Sequence, residues 1–150
     1  MGQRALAPAG VVGLTLLMLA AGDRTALAAT QVSVALQDPS SGDAIPSMHI
    51  EATPNMVKAG RVVFTVKNES KGLVHELLLV KPPASGALPY DTKTHRVIED
   101  RLVKFIDTDD IQPGHSVTKM VTLAPGTYEM LGNQPGHHEQ GMHATFSVTP

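Results

Sequence analysis

The 150-residue chain contains no cysteine. That absence excludes disulfides, a lipid-modified N-terminal cysteine and any thiolate metal site, so stability has to come from the hydrophobic core alone. Positive charge is not in excess either: 12 Lys+Arg stand against 14 Asp+Glu, a net charge of −2. Nucleic acid and anionic lipid are bound mainly through clustered cations, so neither is an expected partner. Long apolar runs are also scarce. The run from Val11 to Ala21 is far shorter than the roughly 20 residues of a spanning helix. Arg4 precedes it and the small-x-small pattern Ala26-Leu27-Ala28 follows it, so it reads as a cleavable signal peptide. The expected organisation is a leader at 1–28 and one domain at 29–150. The mature protein is expected to be periplasmic or otherwise exported, with no membrane insertion after cleavage. Catalytic patterns are lacking as well. Ser116 directly follows His115, which is not triad geometry, and there is no phosphate-binding glycine loop, so no enzyme is expected.

What the chain does have is alternation. Val32, Val34 and Leu36 share one face of a strand, as do Met48, Ile50 and Ala52, and Val62, Phe64 and Val66. Leu73 to Lys81 is nearly continuously apolar, which suits a central strand, and Pro82-Pro83 ends it. Strands resume at Ser116 to Leu123, Thr127 to Leu131 and Ala144 to Thr149. Between Asp91 and Asp107 the pattern changes: Ile98, Leu102, Phe105 and Ile106 fall at helical spacing and predict one short helix. The fold class read from this pattern is all-β, an antiparallel two-sheet sandwich of seven or eight strands with a short helical insertion.

The chemistry gathers in one late stretch. Gly132-Asn133-Gln134-Pro135-Gly136-His137-His138-Glu139-Gln140-Gly141-Met142 carries two imidazoles, a carboxylate and a thioether, and His143 follows it. Pro135-Gly136 sets a tight turn before His137, and Gly141 lets the backbone bend so that Met142 can point inward. His75 lies far upstream, at the start of the strongest strand. One imidazole from an early strand with His and Met from a late loop is how a sandwich collects ligands at one end. Neutral imidazole and thioether donors together favour copper, and the softer thioether favours Cu(I). Met48-His49, His95, His115, Met56, Met120 and Met130 read as structural or without a role. Glu76 is a candidate to orient the His75 ring, although adjacent side chains on a strand face apart.

From about Asn55 to Pro150 the chain resembles small bacterial cupredoxins of the plastocyanin/azurin superfamily. The matching pieces are Asn68-Glu69-Ser70-Lys71-Gly72-Leu73-Val74-His75-Glu76, Leu88-Pro89-Tyr90-Asp91, Pro125-Gly126-Thr127-Tyr128, and Pro135-Gly136-His137 through Gly141-Met142. The resemblance implies a Greek-key sandwich with copper near one end, bound by His75, His137 and Met142. It also implies a redox or copper-transfer protein as partner. A monomer is expected.

The departure lies at Gly132, which stands where the family places its cysteine ligand. Glycine offers no donor, so Cu(II) should recruit water or a carboxylate, and the missing side chain should leave a polar hole. His138 and His143 are the nearest auxiliary donors. The expected function is therefore an exported copper-binding protein, a carrier, buffer or colourless redox site for Cu(I) or Cu(II). A metal-free cupredoxin-fold binding module is the alternative. Blue-copper electron transfer, which the family name suggests, lacks its thiolate here.

Overall fold

The computed structural model describes residues 28–39 and 47–150. The expected leader lies outside these residues, as does most of the loop read between Asp38 and Ser47. Among the described residues, no helix is long and apolar enough to cross a membrane.

Alternating apolar residues build strands with one dry face, and two such faces close the core. The strands are β1 (Thr30–Gln37), β2 (His49–Thr53), β3 (Met56–Lys58), β4 (Gly60–Asn68), β5 (Leu78–Lys81), β6 (Tyr90–Asp91), β7 (Arg96–Val97), β8 (Val103–Asp107), β9 (Ser116–Leu123), β10 (Gly126–Leu131) and β11 (His143–Thr149). One sheet runs β2-β1-β4-β9 and the other β3-β11-β10-β5-β8, while β6 and β7 pair only with each other. The sequence suggested seven or eight strands. The additional ones are the three-residue β3 and the two-residue β6 and β7, too short for period-two alternation to register, and β8, which falls in the segment read as a helix.

The sheets are mixed rather than purely antiparallel. β1 pairs parallel with β4, and β11 parallel with β3. The cause is the crossover: after β2 the chain passes to the opposite sheet for β3 and then returns as β4, so it comes back to β1 in the same direction.

Val32, Val34, Leu36, Val62, Phe64 and Val66 of the first sheet face Leu77, Leu79, Met130, Phe146 and Val148 of the second. Phe64 and Phe146 meet edge to face across the layers, with ring centroids 5.2 Å apart. Phe64 has no exposed surface, and its truncation to alanine would cost about 3–5 kcal/mol.

The second sheet is covered on its outer side too. Leu78, Val80 and Leu131 pack there against Val97, with Leu88, Tyr90 and Leu102 around them. This strap explains why the β5 region is apolar at every position: Leu77 and Leu79 face the main core, Leu78 and Val80 the strap.

The predicted helix is not there. The segment forms β7, a single 3-10 turn at Glu99–Arg101, and β8. The spacing of Ile98, Leu102, Phe105 and Ile106 samples two elements: Leu102 packs with the strap, Phe105 and Ile106 with the main core. A long-range contact competes with helical pairing there. The buried side chain of Asn133 accepts the Val97 N–H (2.8 Å) and donates to the Val97 carbonyl (3.1 Å).

Candidate metal centre

The pole that matters is built where β4 leads toward β5 and where β10 turns into β11. Asn68, the last residue of β4, is fully buried and ties the first of these connections to the segment between β8 and β9. Its amide donates to the carbonyls of Leu73 and Ile111, each at 2.8 Å, and its oxygen accepts the Ser70 N–H at 2.9 Å. His75 is held next to this knot by a two-way backbone pairing with Ile111, at 3.2 and 2.7 Å. The continuous strand expected from Leu73 to Lys81 is thus interrupted: His75 makes an isolated bridge and β5 starts only at Leu78.

The second connection is the loop from Gly132 to Met142. The N–H of Met142 donates to the His137 carbonyl at 3.0 Å, and the N–H of Gly132 donates to the Met142 carbonyl at 2.9 Å. These two bonds draw residues 132, 137 and 142 together. Gly141 has φ +93°, and a Cβ there would press on the Met48 carbonyl at 3.2 Å. Only glycine both tolerates that backbone and lets the loop dock against the start of β2, where the Met48 N–H donates to the Gln140 carbonyl at 2.8 Å.

The result brings His75 and His137 together ring to ring, and Gly132 and Met142 side by side, all four of them buried. His75 and Met142 have no exposed surface and His137 is 8% exposed. The Nδ1 atoms of the two imidazoles face each other at 3.2 Å. On its far side the His75 ring has Nε2 at 2.9 Å from a carboxylate oxygen of Asp38. A carboxylate only accepts, so Nε2 carries the His75 proton and Nδ1 presents its lone pair to the site. His137 then supplies the shared Nδ1–H. Burial, and secondly the neighbouring His75, hold the His137 imidazole below its ordinary range, so it is neutral.

The hole expected at Gly132 is not present. The Met142 side chain fills it: an added Cβ on Gly132 would collide with the Met142 Sδ and would lie 2.7 Å from its Cγ. A flexible thioether is able to enter a gap that opens beside it.

His138 and His143 are not part of this group. Their rings lie 5.0 Å apart on the outer side, near Glu129, whose Oε1 is 3.6 Å from His138 Nε2 and 3.9 Å from His143 Nδ1. Glu139 pairs with His95 at 3.2 Å. Glu76 does not orient His75; it faces the opposite way, as strand alternation requires, and Asp38 takes that role. The Glu76 carboxyl lies within 4.8 Å of those of Glu99 and Asp107. Burial, with the charges of Glu99 and Asp107, pushes its pKa up to about 7. The Lys104 ammonium bridges the other two carboxylates at 2.7 and 2.8 Å.

The residues that sequence reasoning missed are Asp38, read as loop, and Asn68, read as turn. Asn68 stands at the head of a stretch already matched to the family, which is the one signal that could have flagged it. For Asp38 there was none, because its partner is 37 residues away.

Two nitrogens that bind one metal ion at about 2.0 Å in trigonal or tetrahedral geometry stand roughly 3.3–3.5 Å apart. The Nδ1 atoms of His75 and His137 therefore need to move only a few tenths of an ångström to fit a metal.

No family model matches the chain, and no curated protein does. Solved structures do. The fold is similar to reduced auracyanin from the photosynthetic bacterium Roseiflexus castenholzii, with 25% identity, 82% of this chain and 99% of that one covered, and a TM-score of 0.56. It is similar to rusticyanin from Thiobacillus ferrooxidans, with 22% identity, coverage of 81% and 79%, and a TM-score of 0.56. Auracyanin A of Chloroflexus aurantiacus, described as a "blue" copper protein, shares 19% identity over 81% of this chain and all of its own, also with a TM-score of 0.56. With its two-sheet topology and a paired-histidine pole, the chain has a cupredoxin-like fold and contains no cysteine.

Proposed function

We propose that this is an exported copper-binding protein that holds the ion through His75, His137 and Met142, as a carrier or buffer rather than as a catalyst. The observation that carries the reading is the pair of buried imidazoles whose Nδ1 atoms face each other at 3.2 Å, with the buried Met142 tied to His137 by a backbone hydrogen bond of 3.0 Å. Copper bound there would supply a soft Lewis acid with redox capacity. The chain's own part is to hold the two rings at metal-binding separation, fix the His75 tautomer through Asp38 and keep water away. Loading both Nδ1 atoms requires the shared proton to leave His137 Nδ1, which the tautomer protonated on Nε2 accomplishes.

Blue-copper electron transfer is not favoured, because the covalent thiolate behind it has no counterpart here. The second reading, a metal-free binding module, draws on the fact that the two imidazoles already satisfy each other. Thermal unfolding by circular dichroism with added copper separates the two, since a ligand that binds only the folded state raises stability by about 2.7 kcal/mol at roughly 100 times its Kd. The native protein should be stabilised and His137→Ala should not. No shift with Cu(I) or Cu(II) would leave the metal-free module standing.

A further inference from the structure

Resting on that copper reading, we infer that Met142 takes over the donor position left by residue 132, so that the centre is a three-donor N,N,S site specific for monovalent copper. Three observations converge. The thioether sulfur lies so near residue 132 that an added Cβ there would collide with it, and the Met142 Cγ and Cβ follow at 2.7 and 3.4 Å from that Cβ position. The Gly132 N–H to Met142 carbonyl bond of 2.9 Å keeps the two residues side by side, so the Met142 side chain starts next to the space that glycine leaves. The polar side chains that could have supplied a replacement are turned elsewhere: His138 and His143 toward Glu129, Glu139 toward His95.

The chemistry follows from the donor set. All three donors are neutral, two of them imidazole and one a soft thioether, and all are buried. Cu(I) accepts low coordination and prefers soft donors, whereas Cu(II) favours tetragonal sites with nitrogen and oxygen donors. With Met142 in the gap, water has no polar recess in which to complete a Cu(II) sphere. Glycine at 132 is therefore the residue that allows this arrangement, because any side chain there displaces the sulfur.

The test is X-ray absorption on the full mature protein loaded anaerobically with Cu(I), together with affinity by competition against a chromophoric Cu(I) chelator. A copper shell of two nitrogens and one sulfur is expected. Met142→Leu, which keeps the packing, and Gly132→Ala, which keeps the methionine but evicts its sulfur from the gap, should each lower Cu(I) affinity by about tenfold or more. Circular dichroism confirms that each variant is folded, and the absorption spectrum of the native protein stands without either. Copper bound by nitrogen and oxygen alone, or native affinity in Gly132→Ala with sulfur still attached, overturns the inference and leaves the copper reading intact. Failure of the native protein to bind copper at all overturns the copper reading itself.

Discussion

His137 and His138 are consecutive in the chain, yet they belong to two histidine pairs with opposite surroundings. The inner pair, His137 with His75, is buried, its rings meet nitrogen to nitrogen at 3.2 Å, and the buried Met142 is bonded to the His137 backbone. The outer pair, His138 with His143, lies with tilted rings 5.0 Å apart beside the carboxylate of Glu129, and the His143 side chain is 51% exposed. Residue type is the same in both; position in the fold decides the chemistry. A buried imidazole stays neutral and presents its lone pair to whatever the neighbours leave room for. An imidazole as open as that of His143 remains hydrated, so it gains little from any one partner.

The largest effect that could break this comparison is loss of the inner pair. In His137→Ala, the copper-dependent rise in melting temperature should vanish, while His138→Ala should keep it. Equal losses would mean that the two pairs act as one site. Next is Gly132→Cys. The new side chain forces Met142 aside, and Cu(II) should then give an intense visible absorption that the native protein lacks. A colourless Cu(II) complex would show that the loop has drifted from the geometry a thiolate needs.

Third comes the scaffold under the inner pair. Asn68→Ala leaves the carbonyls of Leu73 and Ile111 without their buried donor, and denaturant unfolding should register a loss of about 2–3 kcal/mol. An unchanged midpoint would mean that the connection to His75 is held by its backbone pairing alone. Asp38→Asn is subtler: the amide oxygen can still accept from His75 Nε2 but brings no charge. Copper affinity by chelator competition should fall about tenfold with little change in stability. The smallest effect is on the outer side, where the double variant His138→Ala/His143→Ala should change unfolding stability by less than about 0.5 kcal/mol.

The sequence spoke clearly where physics is local. Val32, Val34, Leu36, Val62, Phe64 and Val66 alternate because one face must be dry, and they are buried as that pattern demands. The loop from Gly132 to Met142 was legible because Pro135, Gly136 and Gly141 fix its turns within a few residues of the donors. It was silent where partners come from far away. Ile98 to Ile106 looked helical until Asn133, from another part of the chain, took up the peptide group of Val97. Gly132 looked like a vacancy because a sequence shows what a residue lacks, not which neighbour moves into the space.

Asp38 adds one more consequence, in the arithmetic of charge. Its carboxylate is the anionic group linked directly to the inner pair, through His75 Nε2. One positive charge between the rings would be balanced by that carboxylate, whereas a doubly charged ion would leave a surplus among buried imidazoles and a thioether. Uncompensated charge in such surroundings is strongly disfavoured. A carboxylate 2.9 Å behind one imidazole thus matches the valence of the ion as well as the tautomer of the ring.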